Sequence, residues 1–195
     1  MNLTLTERFR KRFTDTGGKL YTPSWQEVPV TLRHIQKRER ATRILIENQV
    51  MQTFSINLNT TFPGMYPIIW SREKFARLSR WEYRKQLQTI HMSFSTVDAL
   101  VAETGSVLFI HRNHPGQGYI LLPPVVVFLA FHHQLVNNLD TLFEQLAGKP
   151  EALTEGYHLI TGPSKTADIE KQLVIGMHGP ESVYLLLIPE DTSPA

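Results

Sequence analysis

The sequence predicts an α/β layered domain with a mixed, mostly parallel sheet. Compact apolar runs alternate with amphipathic helical stretches, a hairpin signal interrupts them mid-chain, and the final run is nearly all apolar. Alternation of this kind builds a sheet covered by helices. A strand that is apolar throughout belongs at its centre, buried on both faces. With 195 residues, against roughly 150 per domain, the chain reads as one domain able to bury a full core. Residues 1–86 form its N-terminal helical and strand portion, and residues 87–189 hold the distinctive motifs.

Leu5, Phe9 and Phe13 recur every four residues among basic side chains, predicting an amphipathic helix over Asn2–Thr16 that Gly17–Gly18 ends. Lys19–Thr22 is a short strand, and Pro23–Ser24 opens a second helix with Trp25, Val28, Leu32 and Ile35 on its apolar side. Thr42–Glu47 is a compact strand, Val50–Ile56 is ambiguous, and the Asn, Pro and Gly of Asn57–Pro67 predict a loop. Ser71–Lys85 is expected to be one helix with Phe75, Leu78 and Trp81 on one face. Beyond it Leu87–Phe94, Thr96–Ala102, Val107–His111 and Val125–Phe131 are strand-like, with Glu103–Thr104–Gly105 as a tight turn between two of them. Gln134–Leu146 carries a leucine stripe and is read as a helix stopped by Gly148–Lys149–Pro150. Tyr157–Thr161 and Val183–Ile188 close the chain as strands of the central sheet, with a short helix over Thr166–Leu173 between them.

Composition narrows the function classes. The chain has no cysteine, which excludes a disulfide framework, a cysteine nucleophile and a thiolate-held iron–sulfur cluster ligated by these residues alone. Its longest uncharged apolar stretch, Tyr119–Phe131, is interrupted by Pro123–Pro124 and is too short to span a bilayer. Charged residues occupy the N-terminal segment where a signal peptide needs an apolar region, so the expected location is the cytoplasm. The net charge of +2 hides an asymmetry: residues 1–85 hold 16 Lys/Arg against 7 Asp/Glu, and residues 86–195 hold 4 against 11. The basic residues sit at helical spacing with acids among them, the pattern of a solvated helix face, and no nucleic-acid-binding signature accompanies them.

Two segments could carry chemistry. In Ile160–Pro180 a predicted strand ends at Thr161, Gly162–Pro163 turns the chain, and Ser164, Lys165 and Thr166 precede the predicted helix. Free N–H groups and the positive dipole end of a helix start, beside hydroxyls and a lysine, would seat a small carboxylate or phosphate. Ser164 or Thr166 as a simple helix cap is the alternative, and Asp168 could complement the dipole. Asp168 and Glu170, two apart, would face different ways on a helix. The second segment is Asp98–Ile110, where Glu103, among apolar strand residues, sits either at an exposed hairpin tip or in a cleft beside the Thr104–Gly105 turn. The pairs His111/His114 and His132/His133 lack the spacing of a metal-binding helix motif, and no metal site is expected. His178 follows the candidate anion seat and is the better histidine for a site. Open α/β sheets bind ligands outside the carboxyl ends of their strands. Glu103 and His178 are therefore expected to act as base or nucleophile and as proton relay, facing Thr104, Gly105, Ser164, Lys165, Thr166 and Asp168 across one cleft.

The motifs AETGS at 102–106, LLPP at 121–124, TGPSKTADIE at 161–170 and IGMHGP at 175–180, in this order and spacing, resemble the LUD domain of lactate-utilisation proteins, particularly the small LutC-like subunit. The resemblance covers about residues 87–189, and differs where relatives carry a Gly-rich turn and this chain has Met92–Ser93–Phe94–Ser95–Thr96. It implies a NagB/RpiA/CoA transferase-like fold and a role in oxidising L-lactate to pyruvate. It further implies partner subunits that carry the iron–sulfur clusters, this cysteine-free chain being the cluster-free component. Glu103–Thr104–Gly105 is also similar to the Glu–Asn–Gly nucleophile turn of class I CoA transferases, with Thr104 in place of Asn. A CoA/acyl transferase-like enzyme and a non-catalytic ligand-binding scaffold are the alternatives.

Overall fold

A computed structural model describes residues 3–110, 118–148, 156–167, 173–175 and 179–189. Its N-terminal portion runs α1 (Leu5–Asp15), β1 (Lys19–Tyr21), α2 (Val28–Arg38), β2 (Ile44–Glu47), α3 (Asn48–Thr53), α4 (Leu58–Thr61), β3 (Ile68–Trp70), α5 (Arg72–Phe75) and α6 (Arg80–Leu87). There follow β4 (Met92–Thr96), β5 (Ala99–Val101), β6 (Ser106–Ile110), α7 (Gly118–Leu121), β7 (Val125–Phe131), β8 (Leu135–Val136) and α8 (Leu139–Ala147). The last are β9 (Tyr157–Ile160), β10 (Lys165–Ala167), β11 (Leu173–Ile175) and β12 (Ser182–Ile188).

Six strands in the order β1-β12-β7-β4-β2-β3 form a central sheet, every pair parallel. β7 and β12 pair over seven residues and are almost wholly buried, because side chains leave both faces of the sheet into packed layers. On one face Ile44, Ile46, Phe94, Val127 and Leu186 meet α2, α3 and α4. On the other, Leu45, Val126, Phe128 and Leu185 meet Phe9 and Phe13 of α1, Tyr119 of α7 and a second sheet. That second sheet, β8-β5-β6-β9, is mixed and four-stranded.

The α/β expectation holds, with several corrections to its parts. Tyr157–Ile160 joins the second sheet rather than the central one. The expected single helix over 71–85 is two: Ser79 caps α6 through its side chain and Glu82 bonds back to it, a capping box that starts a new helix. Trp81 then points to solvent, 68% exposed, instead of joining Phe75 on an apolar face. Leu87 ends α6, so the strand after it begins only at Met92. Asn57–Pro67 contains a one-turn helix capped by Asn57. Leu135 lies on a strand, and the helix expected from Gln134 starts after its Asn138 cap. His132 and His133 sit in a 3-10 turn that follows β7. Of the helix expected over 166–173, Thr166, Ala167 and Leu173 are strand residues of β10 and β11, which pair antiparallel, and the residues between them lie outside the described ones. Among the described residues no helix is long and apolar enough to cross a membrane.

Candidate functional site

The register of β6 and β9, with Val107 opposite Ile160, sets Ser106 beside Thr161 and so joins the two signature segments. Their hydroxyls lie 2.7 Å apart, and Ser106 Oγ lies 2.7 Å from Thr104 Oγ1. Both segments close on the C-terminal end of α1. Gly105 has φ +71°, and a Cβ there would lie 2.5 Å from the Phe13 nitrogen. Gly162 has φ +74° and would meet Thr16 at 2.7 Å. Lys165 Nζ donates to the Thr16 carbonyl at 2.7 Å. A helix leaves its last carbonyls unpaired at the negative end of its dipole, and an ammonium satisfies them.

This changes what the segment can do. The anion seat was expected from a helix start after Ser164–Lys165–Thr166, but Lys165–Ala167 is strand and offers no N-terminal dipole. Lys165 instead places a cation at a helix C-terminus. Ser164 is half-buried, and its N–H donates to the Pro180 carbonyl at 2.9 Å. Thr166 pairs with Val174. Glu103 is exposed and leans away from this junction: its Oε2 accepts from the Leu139 N–H at the start of α8, 3.3 Å away, and its own N–H donates to Asn137 O. Gly105 and Lys165 thus close on the C-terminal end of α1, Thr104 bonds to Ser106 and Ser164 to Pro180, and Glu103 caps another helix. Asp168 and His178 lie outside the described residues, as do His111 and His114. Among the described residues no three His, Asp or Glu side chains converge on a metal-sized point.

A second constellation lies at the carboxyl ends of the parallel strands. From β2 the chain passes to β3 on one side through α3 and α4, then returns to β4 on the other side through α5 and α6. These connections cover opposite faces of the sheet. The crevice between the ends of β2 and β4 is therefore a topological switch point, where open α/β sheets place ligands. Glu47 ends β2 there and is only 5% exposed. Its Oε2 accepts from Ser95 Oγ at 2.9 Å, Thr96 N–H at 2.9 Å and Thr96 Oγ1 at 3.1 Å. Burial raises the Glu47 pKa above its ordinary value; the bonds from Thr96 and Ser95 oppose the shift and the charge of Asp98 adds to it. Burial, followed by the Glu47 charge, also holds the Tyr119 phenol well above its usual range. Its hydroxyl is close enough to Ser95 to feel that dipole but is not in hydrogen-bonding geometry.

A cavity of about 40 Å3 opens beside Glu47, bounded by Gln49, Thr96, Val97, Asp98, Phe109 and Ile110. Gln49, Val97 and Asp98 also wall a larger void of about 360 Å3, completed by Ala99, Leu135, Val136 and the polar His133, Gln134 and Gln145. Asp98 accepts from the Ile110 N–H at 2.7 Å, and Gln134 bridges the Phe131 N–H and the Val97 carbonyl, which fixes the wall between the two sheets. Motif reasoning missed this group. A signal was present in the sequence: a carboxylate closing the apolar run Ile44–Ile46, and hydroxyls at 93, 95 and 96 within an otherwise apolar strand.

Comparison with known proteins places these features in a wider set. The model of the LUD domain family matches residues 7–188. Lactate utilization protein C of Bacillus pumilus is 32% identical over 142 residues, covering 65% of this chain and 58% of that protein. The Halalkalibacterium halodurans protein of the same name is 29% identical over 125 residues, 63% of this chain and 52% of that one. The chain thus spans little more than half the length of these two curated relatives. That of Macrococcus caseolyticus is 25% identical over 202 residues and covers 85% and 86% of the two chains. In fold, the crystal structure of a DUF162 family protein from Deinococcus radiodurans is similar, with TM-score 0.65 at 18% identity over 96% of this chain and 99% of that one.

Proposed function

The chain belongs to the LUD domain family, whose model spans residues 7–188, and from that premise we propose that it is a LutC-like component of a system that oxidises L-lactate to pyruvate. One observation carries the reading: the family match coincides with relatives from several organisms named lactate utilization protein C. In this reading the electron-transfer chemistry belongs to partner subunits bearing iron–sulfur clusters, because these residues include no cysteine to hold one. The basic residues of 1–85 offer complementary charge to an acidic partner in the cytoplasm. A small carboxylate or phosphate would meet Thr104, Ser164 and Lys165 at the junction of the signature segments, with Lys165 exchanging the Thr16 carbonyl for the anion.

Deleting the gene in a strain with no parallel lactate dehydrogenase tests the assignment. Growth on L-lactate should be lost and restored by this chain, and affinity purification of the chain should bring down a protein with iron–sulfur absorbance. Unchanged growth on L-lactate would refute the lactate role. Restored growth without any cluster-bearing partner would refute the division of labour.

A further inference from the structure

Two helices leave matching faces uncovered. α6 turns Tyr83 and Leu87 inward and turns Trp81, Arg84, Lys85 and Gln88 outward, at spacings of three and four. These four residues are exposed and line a hollow of about 430 Å3. Lys85 Nζ lies 4.8 Å from the centre of the Trp81 ring, so ammonium and indole form one patch. α8 buries Leu142 and Leu146 and turns outward Asp140, Phe143, Glu144 and Ala147, at the same spacings. Phe143 meets Tyr157 of β9 edge to face at 5.9 Å, and each of the two residues is 37% exposed. We propose that these faces meet between molecules: α6 of one copy of the chain docks antiparallel against α8 of a second copy. This goes beyond the lactate reading and does not depend on it.

Charge selects the occupant. One face centres a tryptophan among cations, the other centres aromatic rings among carboxylates, and both belong to the same chain. Among the described residues none of Arg84, Lys85, Asp140 and Glu144 is in an ion pair. Glu82, the acid within α6, accepts from the Ser79 N–H at 2.9 Å and its hydroxyl at 2.7 Å, so it is engaged at the start of the helix. Opposite potentials steer two surfaces together and fix their register, and aromatic residues and arginine are what interfaces concentrate. Antiparallel order gives each residue a fitting neighbour. Trp81 falls across the small Ala147, where the indole can reach Phe143. Arg84 and Lys85 fall across Phe143 and Glu144, and Gln88 across Asp140. The parallel order would instead set the indole on Asp140 and lose the favourable opposition of the helix dipoles. A lipid surface fits less well, because Trp81 alone is apolar on the outward stripe of α6 and a helix lying in a bilayer interface needs a broad apolar face. Each copy carries both faces, so a two-fold axis can close two such contacts into a dimer.

The test is sedimentation equilibrium of the full chain. Between about 5 and about 500 µM the mass should rise from the 22.4 kDa of one copy towards two or more, with a dissociation constant of about 10–300 µM, as expected of a contact smaller than a standard interface. Raising salt from about 0.05 M to about 0.5 M should weaken it severalfold. Trp81→Ala should weaken it at least about fivefold. Lys85→Glu and Glu144→Lys should each weaken it about tenfold, and the two together in one chain should restore it to within about threefold of wild type. All three residues are exposed, so the variants keep the fold. In a mixture of ¹⁴N and ¹⁵N chains, carbodiimide should join Lys85 of one isotope to Glu144 or Asp140 of the other. The proposal is overturned if the chain stays monomeric throughout, if Trp81→Ala or Lys85→Glu leaves association unchanged, if the double reversal fails to restore it, or if those crosslinks form only within one copy. Monomeric behaviour with Trp81-dependent binding to an acidic peptide, or to phosphatidylglycerol vesicles, would assign the α6 face to another partner and equally overturn it. Growth on L-lactate does not enter these readouts, so failure here and failure of the lactate assignment are told apart.

Discussion

Replacing Gly105 by alanine should cost far more than its position in a hairpin turn suggests. The residue has φ +71°, a region where an L side chain costs roughly 1–2 kcal/mol. That part of the cost is shared with Gly64, which has φ +76° and nothing within 4 Å of where an added methyl group would sit. At Gly105, however, the added carbon would lie 2.5 Å from the Phe13 nitrogen and 2.6 Å from the Arg12 carbonyl carbon. Both are backbone atoms of α1, so no side chain can swing aside and the helix must shift bodily. Phe9 and Phe13 are fully buried on that helix and stacked at 5.6 Å, so a shift disturbs the core as well. Overpacking of this kind adds about 1–3 kcal/mol, bringing the total for Gly105→Ala to roughly 2–5 kcal/mol. Urea unfolding of both variants isolates the difference: Gly105→Ala should be less stable than Gly64→Ala by about 1–3 kcal/mol. Equal losses in the two would refute the seating of α1 on the hairpin. In this reading the glycine of the AETGS segment serves to admit a helix backbone.

Lys165→Met should lower stability by about 1 kcal/mol in urea unfolding, since an exposed ammonium capping a helix carbonyl is partly screened. The same variant should lose any competition by phosphate or lactate at the signature junction. Tyr119→Phe should be neutral or stabilising by up to about 1 kcal/mol, because the buried hydroxyl it removes makes no well-formed bond. Ser95→Ala should cost about 1–2 kcal/mol by taking a donor from the buried Glu47, and a melting temperature at or above wild type would contradict the bond.

How much of this was legible in the sequence depended on whether the signal was local. Val125–Phe131 and Val183–Ile188 announce central strands because burial on both faces selects side chains that are apolar throughout. α1 was readable for the same kind of reason, its phenylalanines meeting one face at helical spacing. Tyr157–Ile160 misled because it is a half-buried strand, exposed at Tyr157 and buried at Ile160, and nothing local says which sheet will receive it. The Ser79–Glu82 capping box was visible and outweighs the apolar spacing that suggested one long helix. The TGPSK segment looked like a helix entrance by composition, yet its lysine answers a helix end 149 positions away. The Glu47 group was the hardest to find, since its members become neighbours only through the strand order β4-β2-β3. A glutamate at the end of a short strand looks like the approach to solvent until that order is known.

The dependence of stability on pH offers a direct check on that glutamate. Folding raises the Glu47 pKa above its ordinary 4.5, chiefly by burial. Well below the unfolded value, near 4.3, the group is protonated in both states and contributes its full favourable difference. As pH rises the unfolded chain releases the proton first, so the folded state binds more protons and stability falls until pH passes the folded pKa. Glu7, Glu27 and Glu82 act in the opposite sense: bonds from the capping residues Thr4, Ser24 and Ser79 lower their pKa values, so their contribution grows as pH rises. The wild-type profile alone therefore mixes two signs. Comparison with Glu47→Gln separates them, because the capping carboxylates are common to both proteins and cancel. Near pH 4 glutamine replaces a neutral acid of nearly the same shape, and the two proteins should differ least. As pH rises from about 4 the balance should move steadily in favour of the variant and level off only above the folded pKa, as read from urea unfolding at each pH. A difference that stays constant across that range, or moves in favour of wild type, would mean that Glu47 is ionised in the folded protein and that its burial is not what sets its charge.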